Sequence, residues 1–218
     1  MRTVLFSSTA RRATRSAILF SIVAILGFST LASAQQPSIQ QIGPGIWAAG
    51  IHTNEFEFVA ARQRHSNWCW AASVQMVLNY RGVPVTQEQV VQRIFGGAVP
   101  DVPGQPEQIL TALSGWAFTR NGQPVMLSSY PFAFSGSEIV RDLAERWPIV
   151  VGVKNSPTSG HAYVMTAVTY SVDPWNQPVF RTAVLRDPWP DNPSRIEVPW
   201  AQFQQNWMFM ARMRIAPR

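Results

Sequence analysis

The apolar positions along the chain change period several times, and the changes mark out the elements. Residues 69–80, "CWAASVQMVLNY", carry Trp70, Val74, Val77 and Leu78 at i, i+4, i+7 and i+8, one stripe of a helix, and Gly82 stands where a helix C-terminal cap is expected. In "TQEQVVQRIF", Thr86 and Gln89 are spaced as a capping box, with Val90, Val91, Ile94 and Phe95 as the inward face. "GGAVPDVPGQP" reads as a loop, "PEQILTALSGW" as a short helix with Pro106 in its first turn, and "SGSEIVRDLAERW" as a further capped helix ending before Pro148.

Alternation of period two is found elsewhere. "IWAAG" and "EFEFVAAR" both read as strands, the second with Phe56 and Phe58 on one face and Glu55 and Glu57 on the other. "QPVMLSS" reads as another strand. Beyond Pro148 the β-branched runs "IVVGVK", "HAYVMTAVTYSV" and "VFRTAVLRD" are separated by Gly, Pro and Asn turns, and "WAQFQQNW" and "FMARMRI" close the chain as a short helix and a last strand. Mainly helices followed by a mainly antiparallel sheet predicts an α+β fold with two sub-lobes. No repeat or low-complexity tract interrupts it.

The N-terminus stands apart. Arg2, Arg11, Arg12 and Arg15 precede an apolar run, Ala17 to Phe28, and then an A-x-A pattern at Ala32 and Ala34. This is the layout of a secretory signal peptide over residues 1–34, with cleavage expected after Ala34 and a secreted or periplasmic destination. The apolar run is short beside the roughly 20 residues of a membrane span, and no stable membrane association is expected once it is removed. Residues 35–50 then read as a polar N-terminal tail or short pro-segment, and residues 51–218 as one domain with one core.

Charge changes the picture by exclusion. The chain has 18 basic and 12 acidic residues; without the four leader arginines, 14 bases against 12 acids leave +2. With no basic cluster, nucleic-acid binding is not expected. No ligand spacing suits a metal and no glycine-rich phosphate loop occurs, so no cofactor is expected.

A single cysteine, Cys69, is unusual in a protein expected to meet an oxidising compartment. It pairs with another chain, stays buried and inert, or does chemistry. A helix N-terminus, where Cys69 is predicted to sit, supplies partial positive charge and unpaired N–H groups that stabilise a thiolate. Such a nucleophile needs a base, and the base an orienting group. Of His52, His65 and His161, the last opens a strong strand just after Gly160, and the next strand ends in Asp187. If the two strands are neighbours, His161 and Asp187 meet at one edge of the sheet. Gln63 stands six residues before Cys69, and a side-chain amide with the nucleophile's own N–H is a means of stabilising an oxyanion.

Together, Gln63, Cys69-Trp70, His161 and Asp187, with Trp189 two residues on, resemble the papain-like cysteine peptidases in order and in the Gln-to-Cys spacing. The likeness is to compact bacterial members, of the AvrRpt-like, staphopain-like and bacteriocin-leader-processing types. "SNWCWAA" lacks the Cys-Gly-Ser-Cys-Trp signature and disulfide of larger papains, and Asp replaces their Asn. The resemblance implies a helical sub-lobe carrying Cys69 packed on a sheet sub-lobe carrying His161 and Asp187. It also implies a monomer that acts on a protein or peptide without a metal or cofactor. Cys69 would be the nucleophile, His161 the base and acid, Asp187 the orienter and Gln63 an oxyanion donor. Trp68, Trp70, Gly160 and Trp189 are candidate walls of the cleft. Peptide hydrolysis, acyl transfer to an amine through the same residues, and a non-catalytic binding module on this shell all remain open.

Overall fold

The computed structural model describes residues 38–131 and 135–217. The expected signal peptide and its cleavage site lie outside the described residues.

Helix α2 (Cys69–Tyr80) is the centre of the fold, with the bounds that the apolar stripe predicts. Its burial exceeds that stripe: Ala71, Ala72, Ser73 and Met76 are enclosed as well as Trp70, Val74, Val77 and Leu78. Each large side chain of this kind contributes about 1.5–3 kcal/mol on burial. The helix stops at Gly82, whose φ is +84°. There the Gly82 N–H bonds to Asn79 O and the Val83 N–H to Leu78 O, which satisfies two terminal carbonyls. Helix α1 (Thr53–Glu57) precedes α2; α3 (Gln87–Phe95) and α4 (Pro106–Leu113) follow it. The predicted capping box of α3 is present at Thr86 and Gln89, and Pro106 occupies the first turn of α4.

The strands are β1 (Ile39–Gly43), β2 (Ile46–Gly50), β3 (Ala117–Arg120), β4 (Gln123–Pro131), β5 (Ile149–Lys154), β6 (Gly160–Val172), β7 (Pro178–Arg186), β8 (Arg195–Pro199) and β9 (Trp207–Pro217). Helices α5 (Gly136–Ala144) and α6 (Trp200–Asn206) are interleaved among them. All paired neighbours are antiparallel, in the order β1-β2-β6-β5-β9-β4-β3, with β7 and then β8 branching from β6. Strand β6 is the hub. One edge takes β5 along Gly160–Met165 and β2 along Ala167–Tyr170, while the other takes β7.

Strand β5 shows how both faces are used. Val150 packs into the core around α2 with Trp70, Val77 and Ile109, whereas Ile149 and Val151 face a second core with Leu143, Trp200 and Phe203. A strand covered on both faces reads as the continuous apolar run "IVV". The α+β class and the Cys-bearing helix packed on the sheet stand as the sequence implies.

Three local expectations differ. "EFEFVAAR" is not a strand: α1 occupies its start, Phe56 is buried and Phe58 is 92% exposed, so the two phenylalanines do not share a face. Ion pairs of Glu55 with Arg146 (3.1 Å) and Glu57 with Arg186 (2.7 Å) fix this turn, which no local alternation encodes. Within residues 35–50, expected as a tail or pro-segment, "IWAAG" forms the predicted strand β2, and the unpredicted β1 pairs with it as a hairpin on β6. Strands β3 and β8 went unpredicted because each is short: β3 is mostly exposed, and β8 offers only Ile196 and Val198 as an inward face.

Gly82→Ala adds a methyl to open space, so its cost is the left-handed backbone alone, about 1 kcal/mol. The urea midpoint should fall accordingly with an unchanged slope.

Candidate active site

Cys69 opens α2 behind Trp68, a residue whose side chain makes no capping hydrogen bond. The first-turn N–H groups therefore have neither an intrahelical acceptor nor a side-chain cap, and the positive end of the helix stays available at the sulfur. His161 is the second residue of β6, and Asp187 follows directly on β7. Because β6 and β7 are neighbours in register, with Val164 opposite Arg186, the two come together at one end of the sheet. Nε2 of His161 lies 2.8 Å from Oδ1 of Asp187. Cys69 and His161 line the same cavity, and the sulfur is close enough to the imidazole to raise its proton affinity. The structure thus brings Cys69, His161 and Asp187 into one chain of contacts.

The electrostatics follow from burial. The Asp187 side chain is 1% exposed. Burial alone would favour its neutral form, but hydrogen bonds from His161, the Trp189 N–H (2.9 Å) and Asn192 Nδ2 (2.8 Å) outweigh it and hold the carboxyl below its ordinary value. An ionised carboxylate only accepts, so Nε2 of His161 carries the shared proton and Nδ1 is left for the thiol. Burial likewise disfavours a charged His161, yet its bonds to Asp187 and Cys69 and their charges push it up to about 9. Tyr163 packs edge-on against the imidazole, centroids 4.5 Å apart, and its hydroxyl is pushed up to about 12 by burial and then by the charges of Asp187 and Cys69.

Gln63 is buried at 6% exposure. Its Nε2 donates to His65 O and Ser66 O, both at 2.9 Å, and its Oε1 has no partner among the described residues. It sits inside the strap leading into α2. That strap is tied down by Gln63 N–H to Pro188 O (2.8 Å) and by Arg62 Nη1 to Asp187 O (3.1 Å) and Trp189 O (2.7 Å). Gln87 holds it from below, accepting from Arg64 N–H and donating to Arg62 O. The order of residues alone did not reveal Arg62, Gln87 or Asn192. Arg62 and Gln87 act through distant partners; Asn192 bonds Asp187 only five residues away, and its Asn-Pro is the one local hint.

A cavity of about 500 Å³ opens beside the sulfur. Its walls include Cys69, Trp70, Gly160, His161 and Trp189, but not Trp68 or Gln63. Trp68 is fully buried with its indole N–H on Pro100 O (2.9 Å), and Trp70 donates to Val102 O (3.1 Å), so the pair fastens the loop after α3 onto the start of α2. A Cβ on Gly104 would stand 2.5 Å from the Trp70 ring, so that loop lies flat on the indole. His65 stacks on Trp68, 4.1 Å between centroids, and His52 lies before α1; neither joins the Cys69 contacts. Trp189 shields the imidazole from the open side, edge-on at 6.2 Å.

A cysteine-bearing central helix against an antiparallel sheet that carries the histidine defines a bacterial papain-like cysteine peptidase. The chain belongs to the Peptidase_C39 like family, whose model matches residues 55–214. Among solved structures it is similar to the peptidase domain of Streptococcus ComA, a bifunctional ABC transporter involved in quorum sensing. That match is 15% identical, covers 72% of this chain and 97% of that one, and has a TM-score of 0.50. It is also similar to a double glycine motif protease from an AMS/PCAT transporter, solved with its leader peptide, at 18% identity, 73% and 91% coverage and a TM-score of 0.46. No curated protein matches.

The raised His161 makes a prediction about stability. With a folded value of about 9 against 6.5 in the free side chain, its contribution is fully present below pH 6.5 and is lost as pH climbs through 9. The upper bound is on the order of 3 kcal/mol. Denaturation midpoints of the wild type should fall across that window relative to His161→Ala, whose profile lacks this component.

Proposed function

We propose that this chain is an exported cysteine peptidase that cleaves peptide bonds through a thioester on Cys69. The observation that carries the reading is the contact chain from thiol to imidazole to buried carboxylate, facing a cavity large enough for peptide side chains.

The steps follow from the groups present. His161 Nδ1 takes the thiol proton, and the imidazolium is stabilised by Asp187, which stays ionised and holds the ring through Nε2. The thiolate attacks the scissile carbonyl carbon. The resulting oxyanion is met by the Cys69 N–H, and Gln63 is its second donor. In the resting arrangement both N–H groups of the Gln63 amide are engaged by backbone carbonyls, so delivery of this bond requires Nε2 to exchange one of them for the oxyanion. Collapse of the tetrahedral intermediate breaks the C–N bond, and the amine leaves with the proton from His161. Water, deprotonated by the same imidazole, then releases the acid and restores the thiol.

Trp189 and Tyr163 on two sides of the imidazole keep the His161–Asp187 contact away from water. An exported peptidase of this kind needs no second cysteine, since a disulfide would consume the nucleophile.

The test uses the mature chain, residues 35–218, on unfolded protein substrates and an epoxide thiol probe. The wild type should cleave and label on Cys69, whereas Cys69→Ala should do neither. Labelling no faster than a free thiol, together with cleavage that survives Cys69→Ala, overturns the reading. Products formed with an added amine separate hydrolysis from acyl transfer. Gln63→Ala should lower kcat by roughly 10- to 1,000-fold if the amide reaches the oxyanion.

A further inference from the structure

The cavity beside Cys69 has an electrostatic character that the chemistry of the peptide bond does not use. Among its described walls no carboxylate or arginine appears, and Lys154 is the one charged side chain apart from His161. Lys154 is also the one lysine in the sequence, every other basic residue of the chain being an arginine or histidine.

Its place in the sheet is defined by register. Lys154 ends β5 directly opposite Gly160 of β6, and Gly152 stands opposite Ala162. Positions 152, 154, 160 and 162 share the face turned toward α2, since alternate residues of a strand point the same way. Three of the four are glycine or alanine, so Lys154 is the only long side chain on that floor.

The glycines make room for apolar walls. A Cβ on Gly152 would stand 2.2 Å from the Phe209 ring, and one on Gly160 would stand 2.6 Å from Met208 Sδ. Phe209 and Met208 both line the cavity, with Trp70 and Ile109. The turn from Asn155 to Ser159 supplies only neutral polar groups. Its hydroxyls bond one another (Ser156 Oγ to Ser159 Oγ, 2.7 Å) and the Asn155 side chain (2.8 Å), and none is a counter-ion for the ammonium. The Lys154 ammonium has no ion pair or hydrogen bond with any described residue.

A lone cation in an apolar groove without acids favours one substrate chemistry. We propose that Lys154 selects a carboxylate on the substrate, so that the cavity takes peptides with apolar residues near the scissile bond and an acidic group within reach of the end of β5. The carboxylate is an acidic side chain or the free C-terminus. This inference rests on the cysteine-peptidase reading and names the substrate class of that same site. Because the ammonium is solvated, the pairing is modest and screened by salt.

The experiment is a series of matched peptides with Glu, Gln or Lys scanned through the positions around one scissile bond, all amidated at the C-terminus. A second Gln series carries a free C-terminus. The expected result is a kcat/KM advantage of roughly three- to tenfold for one carboxylate-bearing series over its neutral partner at low salt, shrinking in about 0.5 M salt. The Glu series identifies a side-chain carboxylate, and the free-acid series a terminal one. Lys154→Gln should bring the ratio to about one, and Lys154→Glu should turn the preference toward the Lys peptides. A merely structural role would slow every peptide together and leave the ratios in place. Cleavage with equal rates for charged and neutral peptides, or a preference that persists in Lys154→Gln, overturns the assignment of Lys154 alone. The absence of any Cys69-dependent cleavage across the series overturns the peptidase reading with it.

Discussion

A carboxylate held almost wholly out of water must be met by donors on every accepting site, and Asp187 is the residue on which that requirement falls. Its oxygens receive His161 Nε2–H, the Trp189 N–H and the Asn192 amide, and the backbone around it is gripped by Arg62. An ionised carboxylate stripped of such partners would cost several kcal/mol, which the fold could not carry. Satisfying it orients the imidazole, fixes which ring nitrogen is protonated, and raises the proton affinity of His161. The same contacts tie the 187–189 turn to the strap that enters α2, so the charge at the end of the sheet and the sulfur at the end of the helix are positioned by one network.

The two tryptophans that flank Cys69 complete this arrangement from the other side. Trp68 is the N-cap and Trp70 the second helical residue, and each spends its indole N–H on a carbonyl of the loop between α3 and α4. Asn67 adds a backbone bond to Asp101 Oδ1 at 2.8 Å. Flanking Cys69 with large apolar anchors lets the helix start without a side-chain cap. The N–H groups a cap would have consumed stay at the sulfur, and packing against a loop replaces the stability a cap would have given. The loop so fastened is also a wall of the cavity, which couples the rigidity of the helix start to the shape of the cleft.

Much of this was legible in the sequence where the signal is local. The bounds of α2, the capping box at Thr86 and Gln89, the Pro106 start of α4 and the run of strands after Pro148 come from periodicity and end chemistry, which act over a few residues. His161 and Asp187 were singled out by their places at the mouths of adjacent strands, and strand pairing made them neighbours. What escaped depends on distant partners. The misread strand at Glu55–Arg62 is a helical turn held by Arg146 and Arg186, some 90 and 130 residues away. Trp68 looked like cleft wall and is instead a buried anchor, a difference decided by a loop more than 30 residues on. Strand β1 carries mostly polar, exposed side chains and declares itself only through its pairing to β2, the strand legible in "IWAAG". Arg62 carries no pattern until Asp187 is seen to be buried, and Asn192 only the Asn-Pro five residues past it.

The central claim is that Cys69 attacks the substrate with His161 as its proton acceptor, and it predicts a covalent species. Acid-quench mass spectrometry of the mature protein during turnover of a peptide ester reads that species directly. The account predicts a mass increase equal to the acyl half of the substrate, localised to the peptide containing Cys69 and missing in His161→Ala. Steady turnover with no adduct on Cys69, or an adduct that forms equally fast without His161, would contradict it.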